Sequence, residues 1–314
     1  MKKNAIIMAG GKGTRMKSEL SKVLHPIMEV PMVDYVMRAC KEAGAERIVT
    51  VVGYAHEQVE QALQGSCEFA LQEPQLGTGH AVMQAKQLEN ETGITLVTSG
   101  DCPCITGATY KKLYDELGDA DMAILTAIPD DNAAYGRVIR REDGTVNKIV
   151  EFKDCTEEEK KAREINTSIY AFKNESLFAG LKKLTNNNAQ HEYYLPDLAG
   201  ILQDMGKKVI AVVCDDWREV EGVNDNAELA RASEYIRKRI NTHWMKEGVT
   251  MTSPDNTFIG PDVTFGHDDI LYPNVFLSGK TSIGNHVTIL PGCVIREGSI
   301  KDGETVSPSC CEQD

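Results

Sequence analysis

The first half of the chain alternates short apolar runs with stretches whose apolar residues recur at helical spacing. Ala5–Ala9 is a continuous apolar run and predicts a buried strand. Val33, Val36, Met37 and Cys40 fall on one helical face, and Gly44 closes that helix. Arg47–Val52, Glu68–Leu71 and Ile94–Thr98 predict further strands, with helices over His56–Leu63 and Thr78–Leu88. Repeated strand–helix–strand order implies an α/β fold with a doubly wound, mostly parallel sheet. Such sheets bind ligands beyond the carboxyl ends of their strands. The loops after Ala9, Leu71 and Thr98 are therefore where the chemistry is expected.

The pattern changes from Met122. Ile139–Arg141 and Val146–Phe152 flank Glu142-Asp143-Gly144 and predict a hairpin. Glu164–Phe172 and Val209–Val213 predict strands, and Tyr193–Asp204 a helix. Asn226 is placed to cap a long charged helix running to about Lys246, expected to connect two units. Further on, Ile259, Phe265, Leu271, Leu277, Ile283, Ile289 and Ile295 stand six residues apart without a break. Val263, Val275 and Val287 recur in the same frame. This is the hexapeptide pattern of a short left-handed parallel β-helix, with one apolar side chain per hexapeptide pointing into a prism. The run supplies two coils and a fraction, and Lys301 breaks its frame. The expected division is an α/β domain over residues 1–228, a linker helix over 229–248, the β-helix over 249–306 and a disordered tail over 307–314. So short a β-helix exposes its end, which implies self-association.

Composition narrows the function. The formal net charge of -13 repels a polyphosphate backbone and argues against nucleic acid as a partner. A small phosphorylated substrate remains compatible, because a local basic cleft can sit in an acidic field. The N-terminal apolar run is too short for a signal peptide, and no stretch approaches the ~20 apolar residues of a membrane span. A cytoplasmic protein without membrane contact is expected. The nine cysteines are scattered, contain no Cys-x-x-Cys pair and do not match a zinc-binding set.

The leading chemical motif is Met8-Ala9-Gly10-Gly11-Lys12-Gly13-Thr14-Arg15-Met16, directly after the first strand. Glycines let backbone N–H groups approach phosphate oxygens, while Lys12, Arg15 and, further on, Lys22 add positive charge. It is not a P-loop, since no Gly-Lys-Ser/Thr stands at the right offset. Met16 occupies the place of the third glycine of a dinucleotide fingerprint, which argues against a dehydrogenase.

Gly11-x-Gly13-Thr14-Arg15-Met16 with Lys22-Val23-Leu24 resembles sugar nucleotidylyltransferases. The resemblance continues in order through Gln72 with Leu76-Gly77-Thr78-Gly79-His80-Ala81, Gly100-Asp101-x-Pro103, Tyr135-Gly136-Arg137, Ile149-Val150-Glu151 and Glu164-Ile165-Asn166-Thr167. Asn187-Asn188-Ala189-Gln190, Glu192-Tyr193-Tyr194 and Glu219-Val220-Glu221-Gly222-Val223-Asn224 complete it. Together these segments resemble the bacterial N-acetylglucosamine-1-phosphate uridylyltransferase family over residues 5 to about 230. The resemblance implies transfer of uridylyl from UTP to N-acetylglucosamine 1-phosphate, giving UDP-N-acetylglucosamine and pyrophosphate. It implies Mg²⁺ held by Asp101 and Asn224, with Arg15 and Lys22 neutralising phosphate charge. It further implies that Met8, Ala9, Gly10, Gly11, Gln72, Gly77 and Thr78 bind the nucleotide. Gly136, Glu151 and Asn166 would bind the sugar. His80 reads as structural, and Lys12 stays open between loop charge and ligand. A homotrimer is implied as well.

Four positions depart from the family pattern: Met8 for leucine, Ser99 for tyrosine, Phe152 for a polar residue and His191 for glycine. Bifunctional members carry a longer β-helix that acetylates glucosamine 1-phosphate with acetyl-CoA, and no acetyltransferase activity is expected from this chain. The alternatives are another sugar, such as glucose 1-phosphate, or a non-catalytic subunit of the same fold. The presence of Arg15, Lys22, Asp101 and Asn224 favours an enzyme.

Overall fold

Alternate residues of the first strand feed two different cores. Ala5, Ile7 and Ala9 enter one buried cluster, and Ile6 enters another, so the strand is covered on both faces. The structure is a computed structural model, described here over residues 1–131, 135–188 and 190–308. Ala189 of the polar motif and residues 309–314 of the expected tail lie outside the described residues.

The strands in chain order are β1 (Lys3–Ala9), the two-residue β2 (Pro26–Ile27) and β3 (Val30–Pro31), β4 (Arg47–Val52), β5 (Glu68–Leu71), β6 (Ile94–Ser99), β7 (Met122–Ala127), β8 (Arg137–Arg140), β9 (Val146–Val150), β10 (Ile165–Lys173) and β11 (Val209–Val213). Between them run α1 (Met32–Glu42), α2 (His56–Ala62), α3 (Thr78–Met83), α4 (Gly107–Leu117), α5 (Asn174–Leu181) and α6 (Leu198–Asp204). The main sheet has the order β11-β7-β10-β6-β1-β4-β5, with β8 and β9 attached beside β10. β1 pairs in parallel with β4 and β6, β4 with β5, and β11 with β7. β10 alone in that row runs antiparallel, to both β6 and β7. The mostly parallel doubly wound sheet is thus as the sequence pattern predicts.

Two helices are shorter than the periodicity suggests. The Thr78–Leu88 stretch is helical only to Met83 and resumes as a single 3₁₀ turn over Lys86–Leu88. Tyr193–Asp204 starts with a 3₁₀ turn over Leu195–Asp197, because Pro196 brings no N–H and suits a first turn. The hairpin strand expected at Ile139 begins at Arg137.

The chain divides into two compact units, Met1–His25 with Met32–Asn226, and Pro26–Pro31 with Ala227–Asp314. In the second unit, α7 (Asn226–Lys246) precedes the strands β12 (Thr250–Met251), β13 (Thr257–Ile259), β14 (Ile270–Leu271), β15 (Val275–Leu277), β16 (Thr281–Ile283), β17 (Thr288–Ile289), β18 (Val294–Ile295), β19 (Gly298–Ile300) and β20 (Thr305–Val306). They form three parallel faces: β12-β14-β17-β20, β13-β15-β18 and β16-β19. Of the seven six-spaced markers all but Phe265 are buried, and Phe265 packs partly buried against the same core. The β-helix carries more strands than the two coils and a fraction counted from the six-residue markers. It starts at β12, where a 3₁₀ turn over Pro254–Asn256 interrupts the six-residue period, and it continues past Lys301 to β20. A register of Thr288 with Thr305 absorbs the broken frame.

α7 is more than a charged connector, because its buried face holds polar groups with dedicated partners. Asn241 is 1 % exposed and donates to the carbonyls of Pro254 and Thr257 at 2.8 and 2.9 Å. Arg237, also buried, donates to the Pro254 carbonyl and pairs with Glu234. Trp244 packs against Phe265 with the rings tilted and their centroids 4.9 Å apart. The helix therefore satisfies the backbone of the irregular first coil.

Candidate active site

The carboxyl ends of β1, β5 and β6 open into one pocket of about 360 Å³. Its walls include Met8, Ala9, Gly10, Gly11, Lys22, Gln72, Gly77, Thr78 and Asp101, all expected site residues. Val23, Gln75, Ala81, Ser99 and Glu192 line it as well.

The glycine turn is shaped by close packing. Gly13 has φ +60°, and a Cβ there would lie 2.5 Å from Lys22 Cβ. Only glycine lets the loop fold back against the Lys22 turn. Gln75 Nε2 donates to the Gly10 carbonyl at 2.7 Å and holds the turn from the β5 side. Gln75 has no sequence signal apart from standing three residues after Gln72.

Lys22, Asp101 and Asn224 come together from three distant segments. The Lys22 ammonium is bonded to Asp101 Oδ2 and lies 3.3 Å from Asn224 Oδ1. Backbone fixes the pairing, since Val223 N–H donates to the Asp101 carbonyl at 2.8 Å. Burial would push the Asp101 carboxyl up, but Lys22, with side-chain bonds from Ser99 and Cys102, holds it below its ordinary value. Asp101 is not a helix cap, because the next helix starts at Gly107 and Thr106 caps it. Ser99 thus contributes a hydroxyl to the Asp101 carboxylate.

Gln72 is 6 % exposed. Its Nε2 donates to the Gly77 carbonyl at 2.9 Å and lies 3.3 Å from His80 Nδ1. His80 is accordingly structural: it backs Gln72 and contacts Gln84 on its own helix. The Gly77 turn, at φ +104°, is zipped to a second segment. Tyr193 N–H donates to the Leu76 carbonyl, and Gly79 N–H donates to the Tyr193 carbonyl, both at 2.8 Å. The Glu192-Tyr193-Tyr194 motif therefore holds the wall of the pocket.

Arg15 and Lys12 are exposed, and neither lines the pocket. Lys12 lies over the Tyr54 ring at 5.6 Å. Arg15 makes no hydrogen bond or ion pair with another described residue.

Gly136, Glu151 and Asn166 form a second cluster. A Cβ on Gly136 would lie 3.6 Å from Glu151 Oε2 and 3.7 Å from Asn166 Cβ. Asn166 stands at an irregularity of β10 and accepts from Tyr170 Oη at 3.0 Å. Glu151 has no hydrogen-bond donor or cation against its carboxylate among the described residues. Burial raises its pKa, and Asp154 and Asp197 raise it further. Sequence reading missed Asp197 and Tyr170, whose roles depend on β10 and the turn before α6. Phe152 packs beneath the Arg137 guanidinium at 5.2 Å, which accounts for an aromatic at that position. His191 has φ +54°, a left-handed conformation that glycine adopts without cost.

A doubly wound α/β sheet with a glycine turn, Lys22 and Asp101 gathered at its strand ends fits the nucleotidyltransferase class. Residues 5–191 match the MobA-like NTP transferase domain family. The chain is 47 % identical over 315 residues to the bifunctional protein GlmU of Limosilactobacillus reuteri (strain DSM 20016), covering 99 % of this chain and 69 % of that protein. It is 46 % identical over 312 residues to the bifunctional protein GlmU of Exiguobacterium sp. (strain ATCC BAA-1283 / AT1b), covering 98 % of this chain and 69 % of that one. The GlmU protein of Bacillus velezensis is 45 % identical over 311 residues, with coverages of 98 % and 68 %. The chain belongs to the GlmU family, and the resemblance carried by its motifs is borne out. Among the described residues, no helix is long and apolar enough to cross a membrane.

Proposed function

We propose that this chain transfers a uridylyl group from UTP to N-acetylglucosamine 1-phosphate. A phosphate oxygen of the sugar phosphate attacks the α-phosphorus, the bond from that phosphorus to the bridging oxygen breaks, and pyrophosphate leaves. The observation that carries this reading is the meeting of Asp101 and Asn224 on the Lys22 ammonium, with Lys22 and Asp101 both lining the glycine-turn pocket.

That point suits a hard divalent cation, because it offers one carboxylate and one amide oxygen and already attracts an ammonium. Asp101 and Asn224 would hold Mg²⁺ there, which when bound supplies charge neutralisation at the triphosphate. Lys22 and Arg15 neutralise phosphate oxygens from the protein side. Met8, Ala9, Gly10 and Gly11 present backbone to base and ribose. Gln72 matches the donor–acceptor edge of uracil, and Gly77 with Thr78 closes on the nucleotide. Glu151, lacking a protein donor, accepts from sugar hydroxyls, with Asn166 and the Gly136 backbone beside it.

The test is pyrophosphate release from UTP with N-acetylglucosamine 1-phosphate, in Mg²⁺ and in chelator. Equal turnover with glucose 1-phosphate would remove the sugar assignment. Turnover that persists in chelator would remove the Mg²⁺ role. We assign only this activity to the 314 residues, and release of free CoA from acetyl-CoA with glucosamine 1-phosphate would overturn that. A cytoplasmic homotrimer is part of the proposal, and light scattering from a monomer at micromolar concentration would count against it. We further propose residues 1–228 as the catalytic domain and 249–306 as the β-helix.

A further inference from the structure

We propose that the β-helix corner formed by His267, Asp268 and His286 binds a divalent transition-metal cation of the zinc class. Asp268 Oδ2 lies 2.9 Å from His267 Nδ1 and 3.7 Å from His286 Nδ1. The three ligating atoms all fall within 4.8 Å of one another. The two imidazole rings stand edge to face, with centroids 4.9 Å apart.

Coil geometry builds this arrangement. The parallel pairing of Ile270 with Thr288 stacks the turn before β14 on the turn before β17. Asp268 and His286 take the same left-handed conformation at equivalent corners, with φ +60° and +58°. Backbone bonds fix the stack: His286 N–H donates to the His267 carbonyl at 2.9 Å, and His267 N–H donates to Asn285 Oδ1 at 3.3 Å. The donor-bearing residues are therefore brought together by backbone pairing between successive coils.

A second observation points to a cation. The adjacent Asp269 is wholly buried. Its Oδ1 accepts from Val287 N–H at 2.8 Å, and its Oδ2 has no donor among the described residues. The protein thus leaves one wholly buried carboxyl oxygen at this corner without a hydrogen-bond donor among the described residues. Two imidazole nitrogens and a carboxylate oxygen suit zinc, with water completing four-coordination, and do not suit magnesium. The donor set thus differs from the all-oxygen pair of Asp101 and Asn224. A bound ion would link two successive coils and stabilise the folded β-helix by mass action.

The experiment is equilibrium dialysis of the full chain against Zn²⁺, in parallel with the Asp101→Ala chain, which lacks the pocket carboxylate. Both should retain one zinc at this corner. His267→Gln and His286→Gln should each weaken that binding by about tenfold or more. They should also abolish the upward shift in melting temperature that zinc produces. His56→Gln, at an exposed histidine paired with Glu60, should change neither readout. Circular dichroism establishes that each variant is folded, and Asp268→Asn serves where a histidine variant is not. Zinc binding unchanged in the doubly substituted His267→Gln/His286→Gln chain would overturn the proposal. So would zinc that disappears with Asp101→Ala.

Discussion

The two units bring residues together in opposite ways. In the α/β unit, Lys22 meets partners 79 and 202 positions away. In the β-helix, stacked residues such as Val287 and Asp269 stand 18 apart, one coil on. A solenoid converts a short period directly into contacts, so its core is local and repetitive. A doubly wound sheet collects loops from strands scattered along the chain, so its pocket exists only after the sheet has formed. Chemistry that needs one cation point fed by several segments belongs to the second kind of architecture. A periodic scaffold belongs to the first.

The sharpest way to break this contrast is to remove a convergent residue and ask whether function alone suffers. Asp101→Ala should lower pyrophosphate release about 10²–10³-fold, as loss of a charge-positioning group does. Hydrogen exchange over β12–β20 should not change. Wild-type turnover in this variant would mean that the Lys22–Asp101–Asn224 meeting point is not catalytic.

The complementary change strikes the periodic unit. Ile289 is wholly buried, and Ile289→Ala should destabilise by about 2–5 kcal/mol. Faster amide exchange should be confined to the coils, with nucleotide KM unaltered at low temperature. Exchange that rises equally around β1 and β6 would show that the two cores are not energetically separate.

A smaller effect is expected at the glycine turn. Gly13→Ala combines a left-handed φ with a 2.5 Å approach to Lys22 Cβ, and should cost about 1–2 kcal/mol. Because the shift displaces Lys22, UTP KM should rise. A variant with normal KM would leave the turn a purely structural device.

The smallest effect concerns Glu151. Its carboxyl titrates above its ordinary value because of burial, Asp154 and Asp197. The folded state therefore binds this proton more tightly than the unfolded state does. The group costs stability once pH rises past the ordinary glutamate range, and the cost is complete above its raised value. Glu151→Gln should accordingly melt higher than wild type at neutral pH, with the gap closing in acid, while the sugar phosphate binds more weakly. A gap that grows on acidification would reverse the sign and refute the assignment.

Much of this was legible from residue order. The bounds of β4, β5 and β11 follow from apolar runs flanked by turns, and the six-residue period marked the prism. The glycine turn and Asp101 stand directly after apolar strands, so their place at strand ends could be read. Three features could not. α7 reads as a charged connector, because nothing local shows that Arg237 and Asn241 are buried on backbone carbonyls. The six-residue markers do not reach β12, because the Pro254–Asn256 turn interrupts the period. Gln75 and Asp197 carry no motif: Gln75 matters because the loop after β5 lines the pocket, and Asp197 because its charge acts on Glu151.

Residue order alone determined the alternation of strands and helices, the coil period and the chemical types available at each strand end, because these depend on neighbours within a few positions. The tertiary structure decided which carboxylate meets which amide, which histidine backs Gln72 and which acid is left without a donor. Those outcomes depend on distances between segments that no local preference encodes, and only sheet order and coil stacking set them.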